Sequence, residues 1–124
     1  MNKYELALKL KELGPLLLHA NWKNRWSKER PTTGYCYLVS EILFHYIYPN
    51  SKAFVLKIND ETHWFIKNDE EIIDWTSDQF DSIPPYSGAR RAAFFKGSIE
   101  TRRGKISKKA YQLAQYLGVQ TDIY

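Results

Sequence analysis

Leu6, Leu10 and Leu13 recur at helical spacing behind a polar face of Lys3, Lys9, Lys11 and Glu12, which predicts an amphipathic helix over 3–13. Gly14-Pro15 ends it, because proline disfavours helix in the residue before it. Leu17, Leu18, Trp22 and Trp26 mark a second short helix from about 16 to 26, and the polar stretch 27–34 reads as a loop. A third helix runs from Tyr35 to about Tyr48 and stops at Pro49-Asn50. The period then changes. Residues 53–58, 62–67 and 71–75 are short β-branched or aromatic runs, separated by turn-like Asn59-Asp60-Glu61 and Asn68-Asp69-Glu70. Three such runs predict an antiparallel meander. Pro84-Pro85 and three glycines make 77–104 irregular, with 81–105 a long basic loop, before Ser107 caps a last helix, 108–117, closed by Gly118. The order of elements predicts an α+β fold in one domain, 1–124, with its core chemistry in 34–80.

Composition narrows the class. The chain has 124 residues, 44% hydrophobic and 15% aromatic, enough for a packed core and against global disorder. One cysteine excludes an internal disulfide and points to a reducing compartment. The start of the chain carries Glu5 and no apolar signal segment, and no apolar run approaches the roughly 20 residues that span a bilayer. A cytoplasmic location without membrane contact is therefore expected. The +4 net charge is unevenly placed: Arg90, Arg91, Lys96, Arg102, Arg103, Lys105, Lys108 and Lys109 face one acid, Glu100. That stretch is either a solvated basic face or a contact for nucleic acid or an acidic protein.

The candidate chemistry lies in three residues. Cys36 opens the third helix directly after Thr33-Gly34, where the helix dipole favours a thiolate. The competing reading is a buried thiol acting as a small hydrophobe. His63 stands on the second strand, sharing a face with Phe65 and Lys67, and Asp74 ends the third strand close enough for a cross-strand contact. Asp78 competes with Asp74 for the third place. His45 lies half a turn round the helix from Cys36, and His19 sits among leucines; both read as packing residues. For the developing oxyanion, the Cys36 amide is a natural donor, with Asn21, Trp22 or Asn24 as side-chain candidates. The usual zinc spacings are absent, so no metal and no cofactor are expected.

Gly34-Tyr35-Cys36-Tyr37-Leu38-Val39-Ser40-Glu41, His63-Trp64-Phe65 and Ile73-Asp74-Trp75-Thr76-Ser77-Asp78-Gln79-Phe80 together resemble the transglutaminase-like branch of the papain-like cysteine enzymes. They also resemble small bacterial and phage proteins reading roughly Gly-His-Cys-Tyr-x-x-Ser-Glu, His-Trp-Phe and Ile-x-Asp-Pro-Thr-x-Asp-Gln-Phe. Tyr35 stands in place of the His of that pattern and Trp75 in place of the Pro. The resemblance implies a nucleophile helix packed on a small antiparallel sheet, with Cys36, His63 and Asp74 as the triad of a thiol hydrolase or acyltransferase acting on an amide-type bond in a protein, peptide or other substrate. It implies no particular substrate. The alternative is a phage-type inhibitor or binding protein without catalysis, contacting a nucleic-acid or defence complex. In either case Trp64, Arg90, Arg91, Arg102 and Arg103 are the candidates for substrate or partner contact.

Overall fold

In a computed structural model, which describes residues 1–121 and leaves 122–124 of the expected domain outside them, helix α1 (Lys3–Leu13) starts where the Asn2 side chain accepts from the amides of Tyr4 and Glu5 at 3.0 and 2.9 Å. Leu6 and Leu10 are its buried residues, as the leucine spacing predicts. The second helix is shorter than expected: α2 covers only Ala20–Lys23, because His19 is extended (ψ 158°) and breaks the ladder. His19 is exposed rather than packed among leucines.

Helix α3 (Cys36–Ile42) widens into a π-helical turn over Leu43–Ile47. The wider turn points His45 inward, where its Nδ1 lies 2.7 Å from Thr101 Oγ1. Burial, aided by the charge of Arg103, pushes the His45 pKa down to about 4, so this imidazole stays neutral. Arg103 lies over the Phe44 ring, 3.6 Å from its centroid, and donates to the carbonyls of Phe44, Tyr48 and Ser51 and to Ser51 Oγ. It closes the helix that Cys36 opens.

The sheet comprises β1 (Lys52–Ile58), β2 (Glu61–Asn68), β3 (Glu71–Ile73) and β4 (Arg90–Arg91), in the order β3-β2-β1-β4, every pair antiparallel. The expected meander is present. Asn59 and Asp60 join β1 to β2 with φ of 52° and 66°, a two-residue turn of the hand that matches strand twist. The long loop is more structured than its composition suggests. It contains β4 and, further on, a hairpin of β5 (Ile99–Thr101) and β6 (Gly104–Ile106).

One face of the sheet places Ile66 and Ile73 in a core with Leu10, Leu38, Ile42 and Leu113 of the helices. The other face, with Phe54, His63 and Phe65, lies under the segment 77–89: Tyr86 packs on Phe65 at 5.0 Å and Phe80 on His63 at 4.9 Å. β3 covers only Ile66–Asn68 of β2, so the edge beside His63 has no strand neighbour and is open to the start of α3.

The last helix, α4 (Lys108–Leu117), keeps its expected limits, from the Ser107 cap to Gly118 in the left-handed region at φ 78°. Its start is tied to α3 by Glu41. That side chain is fully buried and accepts from Ser107 N at 3.0 Å and Ser107 Oγ at 2.6 Å. Burial raises the Glu41 pKa, and the two bonds from Ser107 pull it back. Glu41→Ala strips the cap amide of its partner in a dry site and is expected to lower stability by about 3 kcal/mol. Urea unfolding measures it, and a loss below about 1 kcal/mol would show that Glu41 does not anchor the helix.

Candidate functional site

The approach to Cys36 is fixed from three directions. Thr32, fully buried, donates its hydroxyl to Asp78 Oδ1 at 2.7 Å. Gly34 has φ 83° and leaves no room for a side chain: a Cβ there would stand 3.1 Å from both Leu18 and Trp22. Tyr35 is buried, and its hydroxyl donates to the carbonyl of Gly14 at 2.7 Å. Cys36, a free thiol with 9% exposure, borders two cavities.

His63 and Asp74 meet as the strand register allows. Ile66 pairs with Ile73, so Asp74 comes opposite Phe65 and reaches His63 diagonally on the same face. His63 Nε2 lies 2.7 Å from Asp74 Oδ2, with the two side chains 2% and 3% exposed. An ionised carboxylate only accepts, so Nε2 carries a proton in either state of the ring, and Nδ1 is the nitrogen that gains or loses the second one. Nδ1 is sealed from solvent and has no hydrogen-bond partner among the described residues, and the Cys36 thiol is near enough to the ring to shift its pKa. Burial lowers the His63 pKa, but the Asp74 bond and the nearby Cys36 thiol outweigh it and raise the value to about 9.

Asp74 is itself held by three further donors. Tyr86 donates its hydroxyl to Oδ2 at 2.7 Å, and Thr76 offers its amide (3.2 Å) and its hydroxyl (3.3 Å) to Oδ1. Asp78, the competing third member, belongs to the Thr32 bond instead. Tyr86 was not legible as a site residue, because it lies in a proline-flanked segment with no pattern that ties it to Asp74. Burial and the Asp74 carboxylate both raise its phenol pKa, so it is a donor at neutral pH. Tyr86→Phe removes one of the two groups that hold Oδ2 and is expected to slow acyl transfer by about tenfold. A positioning role also predicts a displaced pH–rate profile; an unchanged profile would assign Tyr86 to packing alone.

The first cavity, of about 350 Å3, has both Cys36 and His63 in its wall. Two ion pairs border it, Arg25 with Glu61 in a bidentate fork and Arg30 with Asp81. The second, of about 430 Å3, has Cys36 but not His63, and is lined by apolar and aromatic side chains that include Trp64. Trp22 borders both and carries the Arg25 guanidinium 4.2 Å above its ring, whereas Asn21 is exposed and lines neither. The Cys36 amide lies in the first turn of its helix, where backbone N–H groups have no intrahelical partner. The four arginines divide between two segments, and of them Arg91 and Arg103 border one hollow. Arg90 and Arg91 are on edge strand β4, Arg102 is in the β5–β6 turn, and Arg103 is spent on internal acceptors. Among the described residues, no group of three or more His, Cys, Asp or Glu is placed to hold a metal, and no helix is long and apolar enough to cross a membrane.

What these elements define is a small α+β domain whose thiol, imidazole and carboxylate gather at the open edge of an antiparallel sheet. In comparisons with known proteins, no family model, no curated protein and no solved structure matches the chain.

Proposed function

We propose that this protein is a thiol hydrolase or acyltransferase acting on an amide-type bond, on a papain-like, transglutaminase-like core. The observation that carries the reading is the 2.7 Å bond from His63 Nε2 to Asp74, on a ring that shares a cavity wall with Cys36 and has Nδ1 left for proton exchange. Cys36 Sγ attacks the carbonyl carbon with its proton held on His63 Nδ1, and the carbonyl oxygen takes the electron pair. The C–N bond then breaks, and the departing amine takes the proton back from His63. A thioester remains on Cys36, and water or a second amine attacks it, forming a C–O or C–N bond as the C–S bond breaks. Asp74 keeps the imidazole in the required tautomer throughout and stabilises the imidazolium between the two proton transfers.

The test is alkylation by iodoacetamide near neutral pH, followed by intact mass. Cys36 is expected to react faster than glutathione, and His63→Ala to slow it about tenfold or more. A fluorogenic peptide amide library should show turnover that Cys36→Ala abolishes. Labelling slower than glutathione, or full turnover by Cys36→Ala, would sink the assignment.

A further inference from the structure

Two cavities meet at Cys36, and only one of them contains His63. In acyl transfer through a thiol, the departing amine collects its proton from the imidazolium and so must lie beside it. The amine side of the substrate therefore belongs in the cavity walled by His63. The acyl side is directed into the other. These two cavities differ in chemistry. On the amine side the cations are matched, Arg25 by Glu61 and Arg30 by Asp81. The acyl cavity has Leu17, Leu38 and Trp64 in its walls, Lys108 and Lys109 at its edge, and no carboxylate.

The acyl cavity does not end there. Phe95, 71% exposed and stacked on Tyr37 at 5.2 Å, borders it and also borders a third hollow of about 610 Å3. Lys52, Arg91, Lys96 and Lys105 line that hollow, and no Asp or Glu does. Arg103, also in the wall, is held by backbone carbonyls; Lys105 alone has an acidic neighbour, Glu100 at 3.8 Å. A concave surface with several cations and no anion focuses a positive field.

We propose that the acyl side of this site selects a peptide with an apolar residue at the scissile carbonyl and acidic residues preceding it, the chain crossing Phe95 into the lysine-lined hollow. The proposal rests on the roles of Cys36 and His63 given above. The apolar residue fills the cavity over Trp64. An extended chain advances roughly 3.3 Å per residue, so the acids lie upstream of the apolar residue, on the far side of Phe95. An acidic peptide is favoured over nucleic acid because the hollow opens onto an apolar cleft leading to an acyl-transfer centre.

The probes are two peptidyl acyloxymethyl ketones, Asp-Glu-Asp-Leu and Lys-Arg-Lys-Leu, with labelling of Cys36 followed by intact mass. The acidic probe is expected to react about tenfold faster at about 50 mM NaCl, with the gap closing near 500 mM. The double variant K52E/K96E should erase the preference and leave iodoacetamide labelling unchanged. Equal rates for the two probes, or a preference that survives the double variant, overturn the proposal while the thiol chemistry stands. The Cys36→Ala protein tests docking alone: it should bind a dye-labelled Asp-Glu-Asp-Leu peptide amide, and K52E/K96E should abolish that binding. Such binding by a protein whose Cys36 proves inert to iodoacetamide would support the docking and remove only the chemistry. Binding of a single-stranded oligonucleotide without binding of the acidic peptide would overturn the proposal in favour of a nucleic-acid contact.

Discussion

Asp74→Asn is expected to reduce acyl transfer by about 10^3- to 10^4-fold while leaving the fold intact. The magnitude follows from who can switch hydrogen-bond roles. An asparagine has one acceptor oxygen where the carboxylate has two. At Oδ1 the Thr76 amide can only donate, so the asparagine oxygen settles there. Its NH2 then occupies the Oδ2 position, facing His63 Nε2 and the Tyr86 hydroxyl, both of which can turn to accept. His63 is driven into the opposite tautomer, with its proton on Nδ1 and no lone pair toward Cys36. A base that already holds a proton on the working nitrogen cannot take the thiol's. Nitrogen-15 spectra of the imidazole recorded above pH 9, where the wild-type ring is neutral, read this without any substrate: Nδ1 should change from acceptor-like to N–H-like in the variant. An unchanged tautomer, or a rate loss below about tenfold, would show that Asp74 does not set the direction of His63.

The same switch explains why part of this site could be read in the sequence and part could not. Cys36, His63 and Asp74 each sit at a position that local pattern marks: a helix start after Gly34, an alternating strand, and the end of the next strand. Asn59-Asp60 announces its own turn, and Ser107 with Gly118 announces the limits of α4. These signals are local, so the chain displays them. Tyr86 and Arg103 act through partners 12 and 52 to 59 positions away, and nothing in their neighbours reveals it. Arg103 shows in sequence only as charge, which suggested a contact surface; in the fold its guanidinium satisfies carbonyls at the end of the helix that carries the thiol. β4 is two residues long and has no alternation to detect.

Stability should fall by about 3 kcal/mol as the pH rises from 6.5 to 9, and His63 is the group responsible. Its pKa is 6.5 in a model peptide and about 9 in the folded protein. Below 6.5 both the folded and the unfolded chain carry the proton, and the whole stabilising interaction of the imidazolium with Asp74 and Cys36 is present. Between 6.5 and 9 the unfolded chain has released its proton while the folded chain still holds it, so each step upward in pH favours unfolding. Above 9 the folded imidazole is neutral as well, and the contribution is gone. His45 does not blur this window, because its pKa is lowered to about 4 and its effect falls below pH 6.5. The buried phenols of Tyr35 and Tyr37, raised to about 12, matter only in stronger base. Urea titrations at pH 6.5, 7.5 and 9 measure the slope. His63→Gln should flatten it, and Asp74→Asn, which keeps the imidazole but removes the carboxylate, should flatten most of it. A wild-type protein equally stable at pH 6.5 and pH 9 would mean that the imidazolium gains nothing from Asp74 and Cys36, and with that the proton-holding role of His63 in acyl transfer would lose its physical basis.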